Sequence, residues 1–396
     1  MKFSSLTERV RGSASDVWDS HYNAMQAKQR GEDVIVLSVG DPDFSTPEPI
    51  VEAAVTALRE GDTHYTGVVG IPELRQCIAQ RHQAACGQIV SEKNVAITSG
   101  AQNALFATSL CICEKGDEVI VLQPMYVTYE ATIQASGATL VPVVLDAESK
   151  FKLDASRLRA AITPRTKAIY YASPSNPTGM MLKLDELQAI ADIAIEHDLW
   201  VVSDEVYANI VFESAFHHIA GLPGMAERTI SIGSMSKSYA MTGWRTGWMI
   251  APESLIENVG KLSLCMLYGL PGFIQQASLY ALRHSGDAVV EMCEIYRRRR
   301  DLLLGELESI PELRAMKPDA GMFLMVDVKD TGLATSEFVR QLYQFAGVSV
   351  LDATAFGASA EGFVRVSFST GEAELVEACR RIAGFVESLR PISRLA

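Results

Sequence analysis

The sequence has no unbroken stretch of about 18 uncharged apolar residues, the length a membrane-crossing helix needs. Its start, Met1 to Arg11, lacks the apolar core and small-residue cleavage site of an export signal. Neither a membrane span nor export is expected, and a cytoplasmic protein is. Basic residues are in deficit: 35 Lys and Arg stand against 48 Asp and Glu, a formal net charge of -13. Phosphate backbones are held by surplus cations, so nucleic acid is not expected as a partner. The one basic cluster, Arg297 to Arg300, lies in a helical pattern beside Glu291, Glu294, Asp301 and Glu306, which predicts a solvated helix face. The seven cysteines are scattered, and the one close pair, Cys111 and Cys113, has a single residue between its members. Zinc knuckles and redox motifs use two, so reduced thiols and no metal are expected. Low-complexity linkers and fixed-period repeats are missing too, so any domain division must come from chain topology.

What is present is a large store of apolar residues, 48% of 396, enough for a sizeable core and, at this length, for two domains. Short apolar runs predict strands over 95–98, 118–122, 139–144, 168–171, 199–203, 229–232 and 246–250. Amphipathic segments such as 184–197 separate them, the rhythm of an α/β fold with a mostly parallel sheet. Beyond about residue 285 the texture changes. A long charged helix over 289–310 precedes short strands over 322–328, 348–351 and 363–367 and a final helix from Glu372, which reads as a smaller α+β domain. An N-terminal helix over 15–30 is expected to pack on either part.

The sharpest local pattern is Ser234-Met-Ser-Lys-Ser-Tyr-Ala-Met-Thr-Gly-Trp-Arg245, just after an apolar strand. Open α/β sheets bind ligands at such strand ends. A lysine there, partly desolvated, is a neutral amine able to form a Schiff base with an aldehyde. Ser234, Ser236 and Arg245 are suited to a phosphate. Upstream, Ser203-Asp-Glu-Val-Tyr207 puts Asp204 at another strand end, and Ser173-Pro-Ser-Asn-Pro-Thr-Gly179 puts Asn176 at a third. A carboxylate against a pyridine nitrogen keeps it protonated, and an amide with a phenol, Asn176 with Tyr207, can donate to a ring oxygen. In isolation, Asp204 reads equally as a cap and Asn176 as a turn residue. Thr98-Ser-Gly-Ala-Gln-Asn-Ala-Leu105 joins a strand to a helix, so the N-H groups of Gly100, Ala101 and Gln102 form an anion cup, although no Gly-Lys-Ser/Thr phosphate loop is present. Tyr126 offers a face for a flat heterocycle.

Taken together, these segments resemble the class I/II, aspartate aminotransferase-like family of fold-type-I pyridoxal-5'-phosphate (PLP) enzymes. Gly40-Asp-Pro-Asp-Phe44, Tyr65 with Gly70-Ile-Pro-Glu-Leu-Arg75, Asn176-Pro-Thr-Gly179 and Arg365-Val-Ser-Phe-Ser369 carry the likeness across nearly the whole chain. The resemblance implies a seven-stranded PLP-binding domain over 41–285 and a small domain made of 286–396 and the segment 1–40. It implies that Lys237 is the Schiff-base lysine and proton shuttle, Asp204 the pyridinium partner, and Asn176 with Tyr207 the ligands of the cofactor's 3'-oxygen. Tyr126 stacks on the ring, Ser234, Ser236, Arg245 and the Gly100 to Gln102 turn hold the phosphate, and Tyr65 reaches the phosphate of a neighbouring subunit in a homodimer. Arg365 clamps the substrate carboxylate with help from Asn176 and the Gly40 backbone. The implied partners are an amino acid and a 2-oxo acid, exchanged by ping-pong kinetics.

Trp18-Asp-Ser-His-Tyr22, Tyr126-Val-Thr-Tyr-Glu130, Cys265-Met-Leu-Tyr-Gly269 and Pro271-Gly-Phe-Ile-Gln275 resemble the arginine:pyruvate branch more than the aspartate or aromatic ones. A cationic substrate side chain wants a carboxylate near the pocket mouth, with Asp16 or Asp19 the expected residue unless these are plain solvated charges. The alternatives are an aspartate- or aromatic-type enzyme using 2-oxoglutarate, and a carbon-sulfur β-lyase on the same fold.

Overall fold

Runs of β-branched and aromatic residues dominate the middle of the chain, and in the computed structural model, which describes residues 1–11 and 18–390, they become strands. After β1 (Ile35–Val36) come β2 (Val95–Thr98), β3 (Glu118–Gln123), β4 (Thr139–Val144), β5 (Thr166–Ala172), β6 (Trp200–Asp204), β7 (Thr229–Ser234) and β8 (Gly247–Ile250). These last seven form one sheet in the order β2-β8-β7-β6-β5-β3-β4. The run from β4 to β7 is parallel, and β8 is antiparallel to both of its neighbours. The expected mostly parallel sheet is therefore mixed at one edge. Every residue of β3 and β7 is buried, as strands covered by helices on both faces must be.

Alternation along the strands divides the apolar side chains between those faces. Val119, Val121, Ile230 and Ile232 pack with Leu105 of the helix Gly100–Ile112 and Val259 of the helix Glu253–Met266. Ile120, Leu122, Ile169 and Val201 turn the other way, onto Leu187 and Ile190 of the helix Leu184–Glu196. Each such side chain, fully buried, contributes about 1.5–3 kcal/mol.

A second layer begins with the helix Gly286–Glu308 and includes β9 (Arg314–Ala315), β10 (Phe323–Asp327), β11 (Val348–Ser349), β12 (Leu351–Asp352), β13 (Phe363–Ser367) and the helix Glu372–Leu389. Four strands make an antiparallel sheet, β12-β13-β10-β9, while β11 pairs in parallel with β1. The single strand expected over 348–351 is thus two, committed to different sheets. The expected N-terminal helix spans Asp19–Gln29 and buries His21, Ala24 and Ala27; its anticipated first residues, through 17, lie outside the described ones. Ile35 and Leu37 join a core with Leu303, Phe323, Phe338, Val366 and Phe368, so the start of the chain is packed with its end.

The arginine run departs from expectation. Arg297 and Arg298 are solvated, but a helix turns about 100° per residue, and the next two point inward. Arg299 makes a two-pronged pair with Asp43 at 2.7 and 2.8 Å. Arg300, 1% exposed along its side chain, bonds Glu213 and lies 4.5 Å over the Phe212 ring. Both cations tether loops of the first layer to the long helix, a use that charge pattern alone does not disclose. Among the described residues no helix is long and apolar enough to cross a membrane.

Candidate active site

The parallel strands deliver their polar ends to one place. β7 runs into Ser234, and the turn after it is shaped by the Ser236 N-H donating to Ser234 Oγ at 3.0 Å, which throws Lys237 over the sheet end. Lys237 Nζ donates to the Gly40 carbonyl at 2.6 Å. Burial favours the neutral amine and pushes its pKa down to about 8; Asp41 opposes the shift, and Arg365 and Arg245 add to it.

Asp204 ends β6. Strand alternation turns it into the cavity and sends Glu205 to the opposite face, where Ser231 donates to it at 3.1 Å and His218 Nδ1 lies 2.8 Å away. Asp204 accepts from the Tyr129 hydroxyl at 2.7 Å and the Val206 N-H at 3.3 Å. Burial lifts its pKa to about 6 while those two donors pull the other way, so the group is mostly ionised at neutral pH.

Arg365 reaches the same space from β13. Only 2% exposed, it donates from Nη1 to Asn176 Oδ1 at 2.9 Å and from Nη2 to the Ser38 carbonyl at 2.7 Å. Its guanidinium lies 4.2 Å from the Phe323 ring centre. Burial lowers its pKa to about 10, which leaves it cationic at neutral pH, and its Nε is buried without a hydrogen-bond partner.

The helix Gly100–Ile112 begins at the cavity edge, where its first N-H groups have no partner within the helix. Gly100 has φ +78°, and a Cβ there would stand 2.4 Å from Arg245 Nη2. Only glycine lets the guanidinium lie against the helix start, which makes an anion corner of the two. Gln102 is held by its side chain: Thr128 donates to its Oε1 at 2.6 Å, and its Nε2 donates to Thr132 at 2.9 Å.

One cavity of about 370 Å³ gathers these groups. Of the residues expected from sequence, Gly40, Ala101, Gln102, Tyr126, Asn176, Asp204, Tyr207, Ser234, Ser236, Lys237, Arg245 and Arg365 line it. Gly100 sits behind Arg245. Tyr65 does not join them; it is 86% exposed, with its ring 4.8 Å from that of Tyr268. Nor does Asp19 line the cavity, and Asp16 lies outside the described residues. Tyr129 was not singled out from sequence, since a tyrosine three residues after Tyr126 looks like helix core; its i,i+3 spacing was the available clue. Ser38 carried no clue, because it acts through its backbone. A larger cavity, about 480 Å³, lies across the sheet beside Glu205, His82, His218 and Trp248. No lysine is among the described residues that line it, and its carboxylate is already matched by His218.

The family model for aminotransferase class I and II matches residues 32–382. The chain belongs to that family. It is 48% identical over 383 residues to the arginine-pyruvate transaminase of Pseudomonas aeruginosa, covering 97% of this chain and 98% of that protein. It is 36% identical to an aspartate aminotransferase of Musicola paradisiaca, covering 96% of each. Among solved structures, the Thermus thermophilus aspartate aminotransferase with maleate superposes at a TM-score of 0.92, with 35% identity over 97% of this chain and all of that one. The chain is a transaminase that depends on PLP, and its cavity fits the coenzyme. The Gly100 cradle accepts an anion beside Arg245, Asp204 offers a buried carboxylate to a ring cation, and the free Arg365 Nε points to a further anion.

Adding a methyl group at position 100 strains a left-handed backbone and displaces Arg245. Gly100→Ala is expected to raise the apoenzyme's Kd for PLP roughly tenfold or more, read by fluorescence titration; an unchanged Kd would remove Arg245 and this helix start from the anion corner.

Proposed function

We propose that this enzyme transfers the α-amino group of L-arginine to pyruvate, with Lys237, Asp204 and Arg365 as its working groups. The observation that carries the reading is the meeting, in one cavity, of an amine lowered to about 8 by burial, a buried carboxylate and a buried guanidinium. Bound PLP supplies an electron sink for the pair left behind when a proton leaves the substrate Cα. The chain's own residues do the rest.

Asp204 holds the ring nitrogen protonated, steadied by Tyr129. Asn176 and Tyr207 donate to the ring oxygen, and Tyr126 covers the ring face. Ser234, Ser236, Arg245 and the Gly100 to Gln102 turn hold the phosphate. Arg365 binds the substrate carboxylate bidentately, with its orientation set by Asn176, Ser38 and Phe323. Lys237 Nζ would take the Cα proton and deliver it to the coenzyme's C4' carbon, a positioned base contributing roughly 100- to 10,000-fold in rate. Its depressed pKa suits it, since a neutral amine is available near neutral pH.

The donor is read as arginine because the Pseudomonas relative bears that activity at 48% identity over nearly the full length. Initial rates with arginine and pyruvate varied together should give parallel double-reciprocal lines, and arginine should exceed alanine, aspartate and phenylalanine in kcat/KM. Pyruvate and ammonia released from a single amino acid without an acceptor would instead mean a β-lyase, and equal rates for all donors would sink the arginine assignment.

The assembly is read as a cytoplasmic homodimer in which Tyr65, exposed at 86% in one chain, donates to the phosphate in the partner's site. The expected mass is therefore about twice 43.1 kDa, and Tyr65→Phe should raise the Kd for PLP roughly tenfold or more, the cost of about one charge-assisted hydrogen bond. A fully active monomer, or a Kd untouched by the substitution, contradicts this arrangement.

A further inference from the structure

A buried histidine of the N-terminal helix Asp19–Gln29 stands behind the active site with no role in the reaction described above. His21 is 9% exposed and does not line the cavity, yet its Nδ1 lies 2.9 Å from Ser38 Oγ. Ser38, fully buried, is the residue whose carbonyl accepts from Arg365 Nη2 at 2.7 Å. Its hydroxyl also accepts from Ser349 Oγ at 2.9 Å, beside the pairing of β1 with β11. One serine thus joins the helix, a strand of the second layer and the guanidinium.

The direction of these bonds follows from counting protons. Ser349 donates to Ser38 Oγ, so the Ser38 hydroxyl has its own proton to give, and the unprotonated Nδ1 of a neutral imidazole is the atom placed to take it. Burial lowers the His21 pKa and the Arg365 charge adds to the effect, which keeps the ring neutral near neutral pH. The helix is itself tied to the cavity, since Trp18 lines it and meets the His21 ring edge-on at 5.9 Å. The guanidinium needs such an anchor. Asn176 takes Nη1 at 2.9 Å and Nε has no partner, while the rings of Phe323 and Phe356, 4.2 and 5.1 Å away, attract the charge without fixing where its N-H groups point. The Ser38 carbonyl therefore decides much of the fork's direction, and a bidentate contact tolerates little error in direction.

We propose that His21 is a positioning residue for the substrate clamp: through Ser38 it sets the orientation in which Arg365 meets the substrate carboxylate. This rests on the reading of Arg365 as that clamp and adds what aims it. The helix Asp19–Gln29 contributes in this way to carboxylate binding through a residue that does not line the site. A histidine that only packs would support the fold evenly, and its loss would weaken coenzyme binding, substrate binding and turnover together.

The test follows the first half-reaction of the PLP-loaded enzyme in single turnover with L-arginine, and its inhibition by agmatine, the same molecule without the carboxylate. His21→Leu should raise the apparent K for arginine roughly 5- to 10-fold, the value of about one hydrogen bond, with the limiting rate, the agmatine Ki and the Kd for PLP little changed. His21→Asn, whose amide oxygen stands as many bonds from the backbone as Nδ1, should restore most of the loss. Ser38→Ala cuts the same bond from the other side and carries the test if the leucine variant does not fold; the two substitutions together should cost no more than the larger alone. An unchanged K for arginine, arginine and agmatine weakening in step, or a joint fall in limiting rate and PLP affinity overturns the inference and leaves the clamp standing. If Arg365→Lys also leaves the arginine-to-agmatine ratio unchanged, the clamp reading itself falls. Should the wild type not react with arginine, the donor reading fails, and L-alanine with ethylamine serves as the pair.

Discussion

A carboxylate placed in the dry end of a parallel sheet raises the free energy of the fold unless donors and a cation meet it, and Asp204 is such a group. Tyr129 and the Val206 N-H answer part of that cost, and they do so from the turn beside Tyr126 and from the loop after β6. The same requirement explains why the cavity is built of opposed charges. Each of its three central groups is displaced from its ordinary titration range by burial, Asp204 upward and Lys237 and Arg365 downward. A cofactor bearing a ring cation and an anion, and a substrate bearing a carboxylate, are the complement of that arrangement.

The groups come from widely separated parts of the chain. Gly40 and Ser38 belong to the first strand region, Asn176, Asp204 and Lys237 to successive ends of the large sheet, and Arg365 to the second layer. The pairing of β1 with β11 and the Arg299–Asp43 bridge hold the early loop against the late elements, so the site is complete only in the folded chain. Phe323 serves both parts, lying under Arg365 and packing so closely on Gly40 that an added Cβ there would stand 2.3 Å from its ring.

Much of this was legible in the sequence, and the reasons are local. Most strands of the large sheet announce themselves because strands covered on both faces are runs of apolar, β-branched residues. Lys237, Asp204 and Asn176 stand out because polar residues at the ends of such runs have little other reason to recur. What stayed hidden depends on the third dimension. The inward turn of Arg299 and Arg300 comes from helix phase against a neighbouring loop, not from composition. The split of the 348–351 segment between two sheets is decided by partners distant in sequence. Tyr129 looked like core, and its bond to Asp204 appears only in the folded chain.

The amine of Lys237 is the group proposed to carry the coenzyme. Reduction of the PLP-loaded enzyme with borohydride, followed by peptide mass mapping, tests this most directly. A pyridoxyl group on Lys237 and on no other lysine is the expected result; a label on another lysine, or none in an enzyme that still turns over, contradicts it.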